Sequence, residues 1–266
     1  METLIKFHRP LGQTGLSVSP LGLGTVKFGR NEGVKYPENF EIPDEQFLAA
    51  LLAHARDLGI NMLDTAPSYG VSEERLGRLL KGQRQDWTIV GKIGEEFKNG
   101  ESEYIFTPEH FEMSLQRSLK NLQTDYLDVL LIHSDGSDMA ILSDEKLIRK
   151  MDEFKSRGLV RAIGASTKTV EGGIKTLDLM DIVMATYNPV MRAEKPVLDH
   201  ADEKGKGVLL KKALASGHLD KLGKNPLQTA MDFAFAHPGT TGIIVGTINP
   251  SHLSANVNAA IKALKN

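Results

Sequence analysis

Cysteine is absent from the 266-residue chain, which excludes disulfides, cysteine nucleophiles and thiolate metal sites. A reducing compartment suits such a chain. Charge imbalance is nearly absent too: 32 basic against 34 acidic side chains leave a net charge of −2. A dedicated nucleic-acid binder carries a basic excess, so a nucleic-acid partner is not expected. Long apolar runs are missing. Stretches such as Phe47–Ala53 and Asp128–Ile132 are far too short to span a bilayer, and Met1–Pro10 is polar with no signal-peptide core. A soluble, cytoplasmic protein with no membrane partner is the expectation.

Several familiar motifs are lacking as well. Gly22-Leu23-Gly24-Thr25-Val26-Lys27 breaks the G-x-G-x-x-G of an open dinucleotide-binding sheet, and no G-x-x-x-x-G-K-[ST] occurs. Gly164-Ala165-Ser166-Thr167-Lys168 lacks the second glycine of a G-x-S-x-G nucleophile elbow. There is no H-E-x-x-H. His133-x-Asp135 and His218-x-Asp220 are two-ligand fragments of a kind common by chance, so no metal is expected. No Gly/Ser run, proline-rich tract, charge block or close internal repeat divides the chain, which reads as a single domain over residues 1–266.

What is present is the composition of a globular protein, 41% hydrophobic and 25% charged, with a strong rhythm. Ile5–Val18 reads as a hairpin around Leu11-Gly12-Gln13-Thr14-Gly15. Short apolar runs then alternate with amphipathic stretches. The predicted strands are Pro20–Val26, Asn61–Ala66, Trp87–Ile93, Leu127–His133, Val160–Ser166, Ile182–Thr186, Gly207–Lys211 and Gly242–Val245. The predicted helices are Asp44–Leu58, Ser72–Lys81, Pro108–Leu122, Ser143–Arg157, Thr169–Leu179, Lys195–Lys204, Leu227–Ala236 and Ser251–Leu264. Thr107-Pro108-Glu109 and Ser143-Asp144-Glu145 carry helix-start signals, and Gly59, Gly82, Gly158 and Gly205 sit at helix ends. The runs are continuously apolar, as in Asp128-Val129-Leu130-Leu131-Ile132, which is the pattern of strands covered on both faces. Eight such units in a chain of this length suggest an α/β fold of the (β/α)8 TIM-barrel class.

In that fold the site lies at the C-terminal ends of the strands. There the second strand ends in Asp64-Thr65-Ala66-Pro67-Ser68-Tyr69-Gly70, the third carries Lys92 and the fourth ends at His133. Each residue alone has a plain structural reading: a loop cap, a packed aromatic, a solvated ammonium, a core histidine. Together they supply the parts of a proton donor. A phenol is a weak acid at neutral pH, and an adjacent ammonium favours its ionised form. A carboxylate keeps that ammonium charged and aimed. An imidazole can hydrogen-bond the same oxygen that the phenol protonates.

These residues resemble the aldo-keto reductase family along nearly the whole chain. The family's Asp, Tyr, Lys and His fall on Asp64, Tyr69, Lys92 and His133. Gly59-Ile60-Asn61-Met62-Leu63-Asp64-Thr65-Ala66 is similar to its first motif, and 122–133 and 158–166 are similar to its second and third. The resemblance implies a barrel closed at the bottom by the N-terminal hairpin, and an extended nicotinamide cofactor that passes hydride to an aldehyde, ketone or sugar-like carbonyl. It implies that Tyr69 donates the proton, Lys92 tunes it, Asp64 orients Lys92 and His133 positions the substrate oxygen. Ser166 and Thr167 stand at the carboxamide positions. Leu214, Ser216 and Gly217 lie in the pyrophosphate loop, and Thr247, Asn249, His252 and Asn256 in the adenosine-end segment.

Three departures accompany the resemblance. Met184 replaces the usual glutamine on strand six. Lys211 stands where an aromatic normally stacks on the nicotinamide. Gly246 and His252 occupy the places of the basic pair around the 2′-phosphate. Lys211 reads either as a charge that disfavours the cationic oxidised ring or as a partner of a carboxylate or phosphate. NADPH remains the expected cofactor, with NADH as the alternative, since a phosphate dianion prefers Arg or Lys. The partner is a small-molecule carbonyl, and the state a monomer or weak oligomer. Rival readings are a Schiff-base barrel aldolase using Lys92 and a non-catalytic nicotinamide-binding regulatory protein. Phe28–Pro43, Ile93–Phe106 and Ser134–Leu142 are expected to be the loops over the mouth, lined by Phe28, Tyr104 and Phe106, with Trp87 in the core.

Overall fold

Strand β4, Leu127–His133, is buried at every position except the last, as its unbroken apolar run requires. Its side chains divide by alternation. Val129 and Leu131 join the barrel interior, while Leu130 and Ile132 join the larger core under the helices. The computed structural model describes residues 2–34, 39–215 and 224–265. Seven further strands repeat this arrangement: β1 (Leu21–Gly24), β2 (Met62–Asp64), β3 (Thr88–Ile93), β5 (Val160–Ser166), β6 (Ile182–Thr186), β7 (Gly207–Lys211) and β8 (Gly242–Val245). All eight pair in parallel in chain order. The ring shuts where β8 meets β1, with Ile243 opposite Leu21 and Val245 opposite Leu23.

Helices cover the outside: α1 (Glu45–Asp57), α2 (Ser72–Leu79), α3 (Pro108–Leu122), α4 (Glu145–Ser156), α5 (Val170–Leu179), α6 (Lys195–Lys204), α7 (Pro226–Phe235) and α8 (Pro250–Lys265). Their starts follow from side-chain caps. Asp44, Thr107, Asp144 and Thr169 accept hydrogen bonds from the backbone N–H of Phe47, His110, Lys146 and Gly172. The predicted helix from Ser143 begins later, at Glu145, because Asp144 caps it. A separate short helix, Asp138–Ser143, precedes it. Among the described residues no helix is long and apolar enough to cross a membrane.

The opening segment pairs only Arg9–Pro10 with Ser17–Val18, and Leu4–Phe7 is a 3-10 turn rather than a strand. Leu11, Leu16 and Val18 pack into the interior cluster with Met62, Val129, Ile182 and Leu209, so the hairpin plugs one end of the barrel. Leu11 also lies against Gly207, the first residue of β7, which makes this the end where the strands begin. Near that end the Asp128 carboxylate accepts from Ile89 N at 2.9 Å and from the Arg84 guanidinium at 2.8 Å. Trp87, the one tryptophan of the chain, is buried at the entrance to β3, its carbonyl accepting from the same Arg84 at 2.7 Å.

The segment 93–106 is not an open loop. Glu95–Lys98 and Glu101–Tyr104 form an antiparallel hairpin. Asn99 and Gly100 turn it with φ of +54° and +84°, the pair of left-handed residues that a tight type I′ turn needs.

Candidate active site

Asp64 ends β2, and its backbone pairs with Val90 on β3, two residues before Lys92. After Thr65 and Ala66 the chain turns through Pro67–Tyr69, with proline preset at the first position. This brings Tyr69 back over the end of its own strand. Lys92 and Asp64 are both buried. The ammonium donates to Asp64 Oδ1, to the Thr65 carbonyl at 3.1 Å and to the Tyr69 hydroxyl at 3.1 Å. Tyr69 in turn donates to Asp64 Oδ2 at 3.4 Å. Three of the four proposed catalytic residues therefore touch one another, and all three ammonium protons are used.

His133, at the end of β4, joins them through a residue that sequence reasoning did not single out. Its Nδ1 lies 2.6 Å from Oε2 of Glu95. The same carboxylate accepts from Ser68 Oγ at 3.0 Å and from Ser102 Oγ at 2.7 Å. Burial pushes the Glu95 carboxyl up, but His133 and the two hydroxyls outweigh it and hold it at about 2. Burial pulls His133 below the ordinary histidine value; Glu95 opposes this, and the charges of Lys92 and Lys211 add to it. The signal that could have found Glu95 is Asn99-Gly100, the strongest short-range hairpin cue in the chain, which folds 95–104 back over the rim. Arg30 helps to seat this hairpin by donating to the Ser68 carbonyl at 3.0 Å while lying 3.4 Å from the Phe97 ring centre.

The proposed cofactor residues begin at the end of β5. Lys211, ending β7, donates to Ser166 Oγ at 2.9 Å and to the Thr167 carbonyl at 2.7 Å. Burial pulls its ammonium down to about 8, against the charge of Glu194. Thr167 Oγ1 and Glu194 Oε2 are buried with no hydrogen-bond partner. Met184 sits in the barrel interior, paired in register with Ser166; its carbonyl accepts from Thr167 N at 3.3 Å, and its side chain has no amide to offer. The orphaned Thr167 hydroxyl, Ser166 Oγ and the Lys211 ammonium form a mixed donor and acceptor set, which fits a carboxamide.

Leu214 packs against the core, and Ser216 and Gly217 lie outside the described residues, as do His218 and Asp220. Past β8 and Gly246, Thr247 Oγ1 accepts from Asn249 N at 3.0 Å. Asn249 Oδ1 accepts from Ser251 N at 2.9 Å and His252 N at 3.2 Å, so Asn249 caps the start of α8. His252 is exposed on the first turn and Asn256 is buried one turn on. None of these four joins the Asp64–Lys92–Tyr69 contacts; they follow the end of β8 and open α8.

Phe28 does not line the mouth: it sits in the short helix Val26–Gly29 with its ring fully buried in the core, a correction to the sequence reading. Phe106 is half-buried against the same core with Tyr104 6.2 Å away, and Trp87 is in the core. A hollow of about 490 Å³ lined by Lys195, Asp199, Asp202, Glu203, Ala236, His237 and Pro238 contains none of these residues.

The model of the Aldo/keto reductase family matches residues 20–226. The chain belongs to the aldo-keto reductase family. A solved structure from Pseudomonas aeruginosa, described as an aldo-keto reductase, is 50% identical over 99% of this chain and 97% of its own, with a TM-score of 0.91. L-galactose dehydrogenase of Arabidopsis thaliana is 28% identical over 94% of this chain and 87% of its own length. Pyridoxine 4-dehydrogenase of Escherichia coli is 27% identical over 91% of this chain and 90% of its length. This aldo-keto reductase is thus an oxidoreductase of a family that uses a nicotinamide cofactor on small carbonyl compounds. Its closed eight-stranded barrel is the family's.

Proposed function

We propose that this aldo-keto reductase reduces the carbonyl of an aldehyde, ketone or sugar-like compound using NADPH, with Tyr69 as the proton donor. The contact of the Lys92 ammonium with both the Tyr69 hydroxyl and the Asp64 carboxylate carries this reading. A reduced nicotinamide, when bound, supplies the hydride to the carbonyl carbon. Tyr69 gives its proton to the oxygen, and the phenolate left behind is stabilised by the adjacent ammonium. Asp64 holds Lys92 charged and in place. His133 orients the substrate oxygen from the neighbouring strand. Ser166, Thr167 and Lys211 would hold the carboxamide. Leu214, Ser216 and Gly217 would hold the pyrophosphate, and Gly246, Thr247, Asn249, His252 and Asn256 the adenosine end, with Met184 at the carboxamide position where the family has glutamine.

NADPH is the family-based choice. The absence of Arg or Lys at 246 and 252 argues toward NADH, and a similar Escherichia coli protein is named an NADH-specific methylglyoxal reductase. Catalytic efficiencies with the two cofactors decide the matter; NADH ahead by about tenfold or more, ~1.4 kcal/mol, overturns the choice. The names of the relatives place sugars, a pyridine alcohol and a small ketoaldehyde first in a substrate panel. The Schiff-base reading is disfavoured because a nucleophilic lysine must be uncharged, whereas Lys92 is fully engaged as a donor with a carboxylate among its acceptors. We also propose a cytoplasmic setting, from the absence of cysteine.

On the same panel Tyr69→Phe is expected to lower kcat by roughly 10²–10⁴, the scale of lost general acid catalysis. Wild-type rates from that variant remove Tyr69 from the role. Cofactor binding with no turnover of any carbonyl points instead to a regulatory binding protein.

A further inference from the structure

The chain leaving β5 is gripped by a buried carboxylate that the proposed reaction does not use. Asp138 opens the short helix Asp138–Ser143 in the connection after β4 and is 1% exposed. Its Oδ2 accepts from Lys168 N at 2.9 Å, Thr169 N at 2.8 Å and Thr169 Oγ1 at 2.7 Å. Thr169 Oγ1 in turn accepts from Gly172 N at 3.1 Å and so caps α5. Gly172 leaves the room this carboxylate needs: a Cβ there would lie 2.3 Å from Asp138 Cβ and 2.6 Å from its Oδ2. Two further bonds tie the same connections together, from Lys168 Nζ to the Asp135 carbonyl at 2.9 Å and from Ser134 N to the Ser166 carbonyl at 3.4 Å.

This clamp does more than a helix cap requires. Capping α5 takes one acceptor, and Thr169 Oγ1 supplies it. Asp138 also takes two backbone N–H groups, and the first of them decides the geometry. The Lys168 N–H shares a planar trans peptide with the Thr167 carbonyl, so the two groups point in opposite directions. Asp138 holds one end of that plane, and the Lys211 ammonium donates to the other at 2.7 Å while also reaching Ser166 Oγ at 2.9 Å. A carboxylate on the N–H polarises the peptide and makes its carbonyl a stronger acceptor. Asp138 Oδ1 and Thr167 Oγ1 line one small hollow, and both are buried without a partner, so the clamp does not consume the Thr167 hydroxyl.

We propose that Asp138 is a positioning residue for the nicotinamide carboxamide: through the peptide between Thr167 and Lys168 it aims the Thr167 carbonyl, and with it Lys211 and Ser166, into one seat. The proposal rests on the cofactor reading above. Asp138 acts without touching the ligand, and its effect is confined to the nicotinamide end.

The test is calorimetric titration of wild type and Asp138→Ala with NADP+ and NAD+, and with 2′-phospho-ADP-ribose and ADP-ribose, which lack the nicotinamide. Asp138→Ala is expected to weaken binding of the dinucleotide about tenfold or more, and of its nicotinamide-free counterpart by less than about twofold. Equal losses for the two indicate general damage to the fold and overturn the proposal, as does an unchanged dinucleotide affinity. The 3-acetylpyridine analogue, in which a methyl group replaces the amide nitrogen, gives a second readout. Its penalty relative to the parent dinucleotide in wild type is expected to shrink in Asp138→Ala; the same penalty in both proteins overturns the proposal. Asp138→Asn keeps an oxygen for the three donors and is expected to recover most of the affinity, and affinity as low as that of Asp138→Ala counts against the clamp. Should Asp138→Ala not fold, Thr169→Val removes one of the donors and is expected to give a smaller loss, again confined to the dinucleotides. A loss shared with the nicotinamide-free ligands, or none at all, overturns the proposal. Wild type that binds with the expected pattern yet turns over no carbonyl strikes the reaction assigned above and upholds the seat. Wild type that binds neither dinucleotide strikes both.

Discussion

At the residue scale the site is organised by who donates to whom. Lys92 spends its three protons on a carboxylate, a carbonyl and a phenol, and Glu95 receives from two hydroxyls with His133 Nδ1 2.6 Å away. Lys211 is the residue whose chemistry departs most from the family resemblance. Its ammonium rests on Ser166 and Thr167, not on a carboxylate or phosphate within the described residues, and burial pulls it to about 8. Because the folded value lies below that of a free lysine, the uncharged form is favoured in the fold, and the cost of the charge fades as pH rises past about 8. An ammonium beside the carboxamide would repel the cationic oxidised cofactor. The preference for the reduced over the oxidised cofactor is therefore expected to decline as pH rises through about 8. Lys211→Tyr is expected to abolish that pH dependence. Titration of both redox forms at pH 7 and 9 measures it, and an unchanged affinity ratio in the variant rules it out.

At the element scale, most of the barrel was legible because its strands are buried on both faces and so are continuously apolar. Five strands, β4 to β8, have the predicted bounds, and β1 to β3 are shorter by a residue or more at their ends. Asp64, Tyr69 and Lys92 could be placed at one rim because strand ends are sequence-local. Glu95 could not, because its role depends on a hairpin folding back to His133 across 38 positions of chain, in a segment too charged to look like strands. Phe28 was misread because an aromatic just past a strand end can turn inward as easily as toward the mouth. The packing of α2 on α3 carries a separate prediction. Glu73 on α2 is buried with Oε1 unpartnered, and burial raises it to about 7, with Ser118, Asn121 and Arg117 pulling back only in part. Its folded value lies above the unfolded one, so folding is penalised progressively as pH rises from about 4.5 to 7 and the penalty is complete above that. Glu73→Gln is expected to stabilise the protein at pH 8 by up to ~3 kcal/mol, and much less at pH 5. Thermal melts at the two pH values give the comparison; an equal gain at both excludes ionisation as the cause.

At the scale of the whole molecule the barrel depends on closure. Ile243 N donates to the Pro20 carbonyl at 2.8 Å where β8 meets β1. Ile243→Pro removes that donor and leaves a buried carbonyl unsatisfied, at a cost of about 1–3 kcal/mol from that group alone. It also opens two apolar strand edges, which are templates for pairing between chains. Lower thermal stability together with concentration-dependent association is expected by light scattering; a monomer that melts like wild type refutes it. The opposite end of the barrel relies on the plug. Leu11→Ala would empty a fully buried site among Leu16, Ile182 and Leu209 and is expected to cost about 2–5 kcal/mol, measured by urea unfolding.

Trp87 is the chain's one indole, and it sits buried at the entrance to β3, the strand that carries Lys92. Its emission is therefore an optical reporter of a defined place, undiluted by other tryptophans. Reduced nicotinamide absorbs where tryptophan emits, so quenching of that light can follow cofactor loading in Tyr69 variants too slow to assay by turnover.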